Sequence, residues 1–396
     1  MNDRSTAAQL RASLVAELAQ QGLLADSAWR NAFAAVPREA FVPFYFEPCR
    51  GRPGWRLVER DAQWRHGVYA DEALVTQLGG DDTAVESARR GECVTATPTS
   101  SSSAPSLMAA MLAALDVHDG HRVLEVGTGT GYNAALLAHR LGEDNVTSIE
   151  VDAPMAARAR HALASVGYRP RVVCGDGAAG VPAYAPYDRL IATVALPRVP
   201  PAWLEQTRGD ALLLIPLSCA GHGGLMALLA REPTGRASGR FLAQYGGFMS
   251  VRNAPQPPTP TIRPGLLTTA RPTEVPPEAL NDGHPAAFYL SLRCSLMYQV
   301  IQFTPDDQDA GTQTWGRSTD GSTFAVVRTG DTVTASADGP IWDEIESAYT
   351  EWCALGRPPR ERFGVTVDTR QWVWLDHPDH MIVELGGSAT GTPPER

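Results

Sequence analysis

The chain has 396 residues, more than a single domain usually contains, so we expect two domains. With 34 Lys and Arg against 44 Asp and Glu, the net charge is −10, which argues against nucleic-acid or anionic-membrane partners. The sequence has no apolar N-terminal leader and no apolar run of about 18 residues. It therefore predicts a cytoplasmic protein without a membrane span.

The six cysteines are scattered, and none belongs to a Cys-x-x-Cys pair or lies near a His at metal-binding spacing. We expect them to be buried or incidental thiols in a reducing cytoplasm. The histidines of Asp376-His-Pro-Asp-His380 are interpreted as part of a surface turn, and no residue is assigned to a metal.

The N-terminal region is predicted to be helical at first and less regular later. Residues 6–21 have the apolar spacing of an amphipathic helix, and a short helix is expected around residues 27–35. Residues 54–78 look irregular to extended. Residues 79–92 are polar, acidic and Gly-containing, which predicts a mobile surface loop.

An α/β core is predicted from about residue 105 to residue 217. The apolar run Val123–Val126 ends at Gly127, Gly129 and Gly131, and a helical pattern follows at once. This order of strand, tight turn and helix lets a ligand lie against bare backbone, with the N–H groups of the helix facing it. The spacing is Gly-x-Gly-x-Gly, not the Gly-x-Gly-x-x-Gly of a pyrophosphate cradle.

The next predicted strands end in acidic residues. Residues 145–150 form a second strand, and Glu150 lies about 20 residues past the glycines, where a carboxylate can accept hydrogen bonds from two ribose hydroxyls. A third strand, Arg171–Cys174, leads to Asp176, which can accept from an adenine amino group. The alternative is that Glu150 and Asp176 simply cap the helices that follow them.

The C-terminal half is predicted to begin with antiparallel strands at residues 225–230 and 241–251. Residues 254–277 are rich in proline and are interpreted as a semi-rigid linker. Beyond them, strand-like runs alternate with turns, an amphipathic helix is expected at residues 340–355, and residues 363–375 look like one strand.

The order of glycine turn, acidic residue and Asp-Gly resembles class I methyltransferases that use S-adenosylmethionine (SAM). The resemblance implies an α/β fold with a Rossmann-like doubly wound sheet and SAM as the cofactor. An NAD-binding protein is the alternative.

A serine-rich segment precedes this core. Read by itself, Ser103 is the N-cap of a helix that has Pro105 in its first turn. The run from Ser101 to Ala109 also resembles the substrate loop Thr-Ile-Ser-x-Pro-x-x-x-Ala of protein-L-isoaspartate O-methyltransferases. Ser103 falls on the active-site serine of that family, so Ser101, Ser102 and Ser103 are the expected catalytic residues, holding the substrate carboxylate.

Three further segments resemble the same family. They are Val36-Pro-Arg-Glu-Ala-Phe-Val-Pro43, Tyr69-Ala-Asp71 and Val194-Ala-Leu-Pro-Arg-Val-Pro200. The resemblance covers residues 8–250 and implies a cofactor site at the glycine turn and at the two strand ends after it. The expected cofactor-binding residues are Glu125, Gly127, Thr128, Gly129, Gly131, Tyr132, Glu150, Val151, Asp176 and Gly177.

These observations predict a methyltransferase domain at residues 1–253, a linker at 254–277 and a smaller α+β domain at 278–396 that recognises the substrate. Such an extended form resembles the methyltransferases that tailor ribosomal peptides (lanthipeptides and graspetides), which methylate an aspartate side chain. In the family, the methyl ester loses methanol to give a succinimide, whose hydrolysis yields isoaspartate.

Two alternatives stay open. One is a general isoaspartate repair enzyme, and the other is a non-catalytic SAM-binding partner module. The expected partner is a peptide or protein that contains Asp or isoaspartate, and the sequence leaves the oligomeric state open.

Overall fold

The computed structural model describes residues 6–80, 82–219, 222–251, 270–281, 283–294, 298–303 and 312–385. The chain forms two compact units that alternate along the sequence. The first comprises Met1–Thr193, Pro200–Leu214 and Ala230–Gly235. The second comprises Val194–Val199, Ile215–Leu229 and Arg236–Arg396. Most of the expected linker, residues 252–269, lies outside the described residues, so the domain boundaries at 253 and 278 stay predictions.

The first unit begins with the two helices expected from the sequence, α1 (Ala7–Gln20) and α2 (Ser27–Ala35). At the start of α1, Thr6 Oγ1 accepts from the Gln9 N–H while Gln9 Oε1 accepts from the Thr6 N–H, which is a capping box. Asp26 caps α2 by accepting from the Ala28 N–H. Local capping chemistry therefore fixes where both helices begin.

A four-stranded sheet follows in the order β2-β1-β3-β4. Its strands and the two helices between them are β1 (Phe44–Pro48), β2 (Trp55–Glu59), α3 (Ala62–Val68), β3 (Leu74–Leu78), α4 (Thr83–Arg89) and β4 (Pro98–Ser102). The serine-rich segment thus forms a strand at the edge of this sheet. Residues 54–78 are more regular than expected, because they contain β2, α3 and β3.

The expectation of a loop at residues 79–92 is wrong for Thr83–Arg89, which form α4. Helix α4 is stabilised by packing rather than by strong local propensity, since Ala84, Val85 and Ala88 are buried in a small core with Phe46 and Leu78.

Cys49 and Cys93 form a disulfide, which joins the residue after β1 to the segment before β4. The expectation that all six cysteines are thiols is therefore wrong for this pair. Cys174, Cys294 and Cys353 are free thiols, and Cys294 is buried.

The centre of the first unit is a parallel sheet with strands in the order β8-β5-β6-β7. The elements are α5 (Pro105–Ala114), β5 (Val123–Val126), α6 (Tyr132–Leu141), β6 (Val146–Glu150), α7 (Ala153–Ser165), β7 (Arg171–Cys174), β8 (Tyr187–Ala192), α8 (Pro201–Glu205) and β9 (Thr207–Cys219). Parallel strands bring their carboxyl ends to one edge, so the ends of β5, β6 and β7 lie side by side. The predicted α/β fold is confirmed.

The second unit is mostly antiparallel. Its elements are β10 (His222–Arg231), β11 (Ala237–Tyr245), β12 (Arg271–Pro272), α9 (Pro285–Arg293), β13 (Tyr298–Phe303), β14 (Thr312–Ser318), β15 (Thr323–Thr329), β16 (Thr332–Asp338), α10 (Ile341–Ala354), β17 (Phe363–Val367), β18 (Gln371–Leu375) and β19 (Met381–Glu384). Strands β9 and β10 contribute residues to both units. One five-stranded sheet has the order β12-β16-β15-β14-β13.

The C-terminal strands pair with an earlier part of the chain. β17 lies antiparallel to β11, with Ala237 opposite Val367 and Arg240 opposite Gly364. The helix expected at residues 340–355 is confirmed as α10, whereas residues 363–375 form the two strands of a hairpin rather than one strand. Among the described helices, none is both long and apolar enough to cross a bilayer.

Candidate active site at the cofactor edge

The glycine turn after β5 is held by backbone hydrogen bonds to the neighbouring strand β6. The N–H groups of Gly127 and Thr128 both donate to the Ile149 carbonyl, at 2.9 and 3.3 Å. Gly131 has a φ of 90°, and a Cβ at this position would lie 3.2 Å from the Cβ of Ala159 on α7. A side chain is excluded there both by the left-handed backbone and by the close approach of α7.

Glu150, at the end of β6, is connected to this turn. Its Oε2 accepts from the Gly129 N–H at 2.9 Å, and its Oε1 accepts from the Asp152 N–H at 3.1 Å. The cap of α7 is Asp152, whose Oδ1 accepts from the Met155 N–H. Glu150 is therefore not the helix cap that the sequence left as an alternative. A carboxylate has about four acceptor positions, so two remain for ribose hydroxyls.

Asp176 does cap a short helix, since its Oδ1 accepts from the Ala178 N–H at 2.9 Å. The other oxygen, Oδ2, is the one that can accept from an adenine edge. Val151 lies just past Glu150 and is 51% exposed, which is unusual for a large apolar residue. Gly177, which follows Asp176, accepts at its carbonyl from the Trp203 Nε1.

Glu125 is fully buried beneath the turn. Its carboxylate accepts from the Asn133 Nδ2 at 2.7 Å and from the Ser148 Oγ at 2.5 Å, while Ser148 Oγ lies 2.6 Å from Thr128 Oγ1. Burial raises the pKa of Glu125 to about 7. All its described contacts are with other residues of the chain, and through Ser148 it holds the side chain of Thr128 in place. A direct contact of Glu125 with the cofactor stays a prediction.

Tyr132 is also internal. It begins α6 and packs its ring against Phe33 at 6.3 Å and Phe41 at 5.8 Å, measured between ring centroids. Burial raises its pKa to about 12. The Arg38 guanidinium lies 6.0 Å from the centroid of the same ring, so Tyr132 connects the glycine turn to the N-terminal motif that contains Arg38.

The three expected catalytic serines do not point the same way. Ser102 is 3% exposed, and its Oγ lies 3.4 Å from both Nε and Nη2 of Arg38. Ser101 and Ser103 are half-buried. Within β4 the neighbouring side chains of Ser101 and Ser102 point to opposite faces, and Ser103 follows the end of the strand. The joint role expected for all three serines stays a prediction, and among them Ser102 is the one whose side chain is buried against Arg38.

Ser103 is not a helix cap. The N-cap of α5 is Ala104, which makes no side-chain capping bond. Asp71 supplies the cap instead, with its Oδ1 accepting from the Ser106 N–H at 2.8 Å. The residue that matched the family motif at Tyr69-Ala-Asp71 thus fixes the start of the helix that follows the serines.

Arg38 is the main residue that sequence reasoning missed. It is fully buried, and its guanidinium donates to the carbonyls of residues on two segments. The acceptors are Val68 at 2.8 Å, Ala70 at 3.1 Å, Glu72 at 3.0 Å, Ser102 at 3.4 Å and Ser103 at 3.0 Å. Burial lowers its pKa to about 10, so it stays cationic at neutral pH. The only sequence signal was its place in the Val-Pro-Arg motif.

The glycine turn lies against the serine strand. A Cβ placed on Gly129 would be 3.6 Å from the Ser101 carbonyl oxygen and 3.9 Å from the Ser100 Oγ. These are ordinary contact distances, so glycine is favoured at this position by its φ of 53° rather than by lack of space. The turn that fits a cofactor and the strand that fits a substrate are therefore in direct proximity within the first unit.

The residues present fit SAM. The bare backbone at Gly129 suits the methionine part. Glu150 has two acceptor positions left for the ribose hydroxyls, and the exposed apolar side chain of Val151 suits the adenine ring. In the described part of the chain, no group of three His, Cys, Asp or Glu side chains is placed to hold a metal ion.

Comparison with known proteins gives the same family as the motifs. The pattern of the family described as "Protein-L-isoaspartate(D-aspartate) O-methyltransferase (PCMT)" matches residues 63–240. A protein-L-isoaspartate O-methyltransferase of Ignicoccus hospitalis is 34% identical over 206 residues, which are 52% of this chain and 80% of that protein. One from Methanosarcina mazei is 31% identical over 53% of this chain and 70% of its own length.

A solved structure bearing the name protein-L-isoaspartate O-methyltransferase has the same fold, with a TM-score of 0.50 and 22% identity. The alignment covers 90% of this chain and 96% of that chain. The similarity therefore extends well beyond residue 240, into the second unit.

Proposed function

The chain belongs to the protein-L-isoaspartate O-methyltransferase family, and on this premise we propose that it uses SAM to methylate the free carboxylate of L-isoaspartyl residues in proteins. This is the repair alternative. The comparisons favour it over the peptide-tailoring activity expected first, because the relatives of which this chain covers 80% and 70% are named protein-L-isoaspartate O-methyltransferase.

The observation that carries the proposal is the proximity of the Gly129 turn to the Ser101 carbonyl. Methyl transfer needs the acceptor carboxylate within contact distance of the cofactor. A substrate held at the hydroxyls of the half-buried Ser101 and Ser103 would meet this requirement. SAM, when bound, would supply a methyl group on a sulfonium: a carboxylate oxygen would bond to the methyl carbon in line with the breaking C–S bond, and S-adenosyl-L-homocysteine would leave as the neutral thioether.

The residues of the chain orient rather than activate the nucleophile. A carboxylate with a pKa of about 4 is already ionised at neutral pH, so no strong general base is needed. The hydroxyls of Ser101 and Ser103 donate to it without adding charge that would over-stabilise the ground state. Arg38 holds the carbonyls of Ser102 and Ser103, so that the strand presents these hydroxyls in a fixed position.

The experiment is to incubate the protein with SAM and a short isoaspartyl peptide, beside the same peptide with normal aspartate. Mass spectrometry then detects the gain of one methyl group. We expect methylation of the isoaspartyl peptide alone. Methylation of neither peptide, with SAM binding confirmed by calorimetry, would contradict the repair activity. That outcome would favour aspartate methylation in a specific partner peptide, or a non-catalytic SAM-binding module.

We also propose that the second unit contacts the substrate polypeptide outside the modified residue. The support is that most of this unit lies beyond the family match at residue 240. Deleting residues 254–396 would not test this cleanly, because it removes β17, the partner of β11. Instead, hydrogen exchange in α10 and β17 should slow when an isoaspartyl protein binds with S-adenosyl-L-homocysteine. Unchanged exchange would contradict this role.

We keep the cytoplasm as the proposed place of action; the Cys49–Cys93 disulfide of the structure argues against it, and the redox state of this pair in cells decides between the two. Disulfides persist in oxidising compartments and are rare in the cytoplasm. Alkylation of thiols in intact cells, followed by mass spectrometry, reports the state of both cysteines. A fully oxidised pair would contradict a cytoplasmic location.

A further inference from the structure

A chain of hydrogen bonds joins the carboxyl end of β6, beside the glycine turn, to strand β4. It passes through Gln77, the second-last residue of β3. Gln77 is 2% exposed. Its Nε2 donates to the Asp152 Oδ2 at 3.2 Å, and its Oε1 accepts from the Thr99 Oγ1 at 2.9 Å. Thr99 Oγ1 in turn accepts from the Gly80 N–H at 3.1 Å. An amide suits this place because it donates and accepts at the same time.

The other end of the chain is Glu150. The Asp152 N–H donates to the Glu150 Oε1, while the Glu150 Oε2 accepts from the Gly129 N–H. Asp152 also caps α7 through its Oδ1, so its carboxylate is held from both sides. Three successive hydrogen bonds therefore link the glycine turn to Gln77.

Backbone pairing is irregular where Gln77 lies. Among the described strands β4 pairs with β3 alone, and the register between them shifts on both sides of Gln77. A register shift interrupts the ladder of backbone hydrogen bonds and leaves the strand locally less constrained. The side-chain bonds of Gln77 and the Thr76–Ser100 hydroxyl contact at 3.2 Å hold β4 at this point. Ser101, whose carbonyl oxygen lies beside the glycine turn, follows directly.

We propose that Gln77 is a positioning residue that couples cofactor binding at Glu150 to the ordering of β4, so that bound cofactor raises the affinity for the substrate carboxylate. Ribose hydroxyls that donate to Glu150 restrict the motion of its carboxylate. Because the Asp152 N–H donates to this carboxylate, Asp152 is restricted as well, including the Oδ2 that accepts from Gln77. The coupling is reciprocal, so substrate raises cofactor affinity by the same factor. The substrate part of the proposal rests on the proposed function.

The variants separate this coupling from a general loss of packing. Gln77→Leu has nearly the same size and removes both hydrogen bonds, and Gln77→Glu keeps the shape but cannot donate to Asp152. Asp82→Asn is the matched control, because Asp82 pairs with Arg158 of α7 at 2.9 Å at an exposed place near α4. It joins neighbouring elements without touching the chain through Gln77.

The first measurement is amide hydrogen exchange of residues 97–102 with and without S-adenosyl-L-homocysteine. We expect the ligand to slow exchange about tenfold in the wild type and in Asp82→Asn, within the usual range of coupling factors. In Gln77→Leu we expect the ligand no longer to slow exchange in these residues. If the leucine variant does not fold, the same result is expected in Gln77→Glu. Equal slowing in wild type and Gln77 variants would overturn the proposal.

The second measurement is the dissociation constant of the isoaspartyl peptide with and without S-adenosyl-L-homocysteine. The ratio of the two constants is expected to be about ten in the wild type and near one in the Gln77 variants. A Gln77 variant that weakens peptide binding equally in both conditions has only a structural role, which would contradict the coupling. If the ligand slows exchange but no isoaspartyl peptide is methylated, the proposed function fails and the coupling stands.

Discussion

The backbone N–H of Gly129 donates a hydrogen bond to the Glu150 Oε2 over 2.9 Å. This bond joins the turn after β5 to the end of β6. It therefore holds the glycine turn against the Glu150 carboxylate.

Glu150→Ala is expected to weaken the binding of S-adenosyl-L-homocysteine by about tenfold or more, because it removes charge-assisted acceptors for the ribose and the anchor of Gly129. Isothermal titration calorimetry measures the dissociation constant. Glu143→Ala is a suitable control, since Glu143 accepts an exposed hydrogen bond from the Arg169 N–H. Unchanged affinity in Glu150→Ala would remove Glu150 from the cofactor site.

Gly129→Ala is expected to abolish most of the methylation. It adds a methyl group beside the Ser101 carbonyl and places a side chain on left-handed backbone, which costs about 1–2 kcal/mol. Gly167→Ala is the matched control, because Gly167 has a φ of 88° but no atom within 4 Å of an added Cβ. Both variants place a side chain on left-handed backbone at a similar cost in free energy. A loss of activity in Gly129→Ala alone would therefore come from the methyl group that it adds beside strand β4.

The serines are expected to differ. Ser103→Ala should lower kcat/KM by about tenfold or more without a change in melting temperature, since Ser103 is not the cap of α5 and its proposed role is to hold the substrate carboxylate. Ser102→Ala removes a buried hydroxyl from Arg38 and should act mainly on stability. Kinetics and thermal unfolding of the two variants test this, and the reverse pattern would show that the roles are exchanged.

Arg38→Lys is expected to lower the free energy of unfolding by about 2–3 kcal/mol, because one ammonium cannot satisfy carbonyls on two separate segments. The KM for an isoaspartyl peptide should rise, while the affinity for S-adenosyl-L-homocysteine stays within about twofold, a change of under 0.5 kcal/mol. Arg30→Lys is the control, since exposed Arg30 donates to the single carbonyl of Leu24. An unchanged KM would limit Arg38 to folding.

The parallel core could be read from the sequence because its signals are local. Val123–Val126 is a short apolar run that stops at glycines, and Glu150 follows at a fixed distance, so strand, turn and acid are visible within one stretch of chain. The helix α4 was missed because its buried side chains, such as Ala84 and Ala88, are small and give a weak periodic signal.

The interactions that shape the site are mostly long-range. Arg38 reaches Ser102 across 64 positions and Gln77 reaches Asp152 across 75, so no periodicity or spacing could reveal either contact. The same holds for the Cys49–Cys93 pair, 44 positions apart. The motif around Arg38 identified the family, but only the folded chain gives the residue a physical role.

Glu125 makes stability depend on pH. Its folded-state pKa of about 7 lies above the ordinary 4.5, so the folded protein binds more protons than the unfolded chain between these values. Stability from this group is fully present below pH 4.5 and is lost as pH rises through about 7. The loss amounts to about 3 kcal/mol of unfolding free energy.

Glu125→Gln removes the titration and keeps the shape, so its unfolding free energy should fall less between pH 4.5 and 7 than that of the wild type. Urea unfolding at several pH values measures both curves, and their difference isolates Glu125 from other titrating groups such as His121, whose pKa is lowered by burial. Parallel curves would show that Glu125 does not titrate in this range. A difference that grows with pH would show that the buried carboxyl under Thr128 is neutral in the acidic range and becomes charged near neutrality.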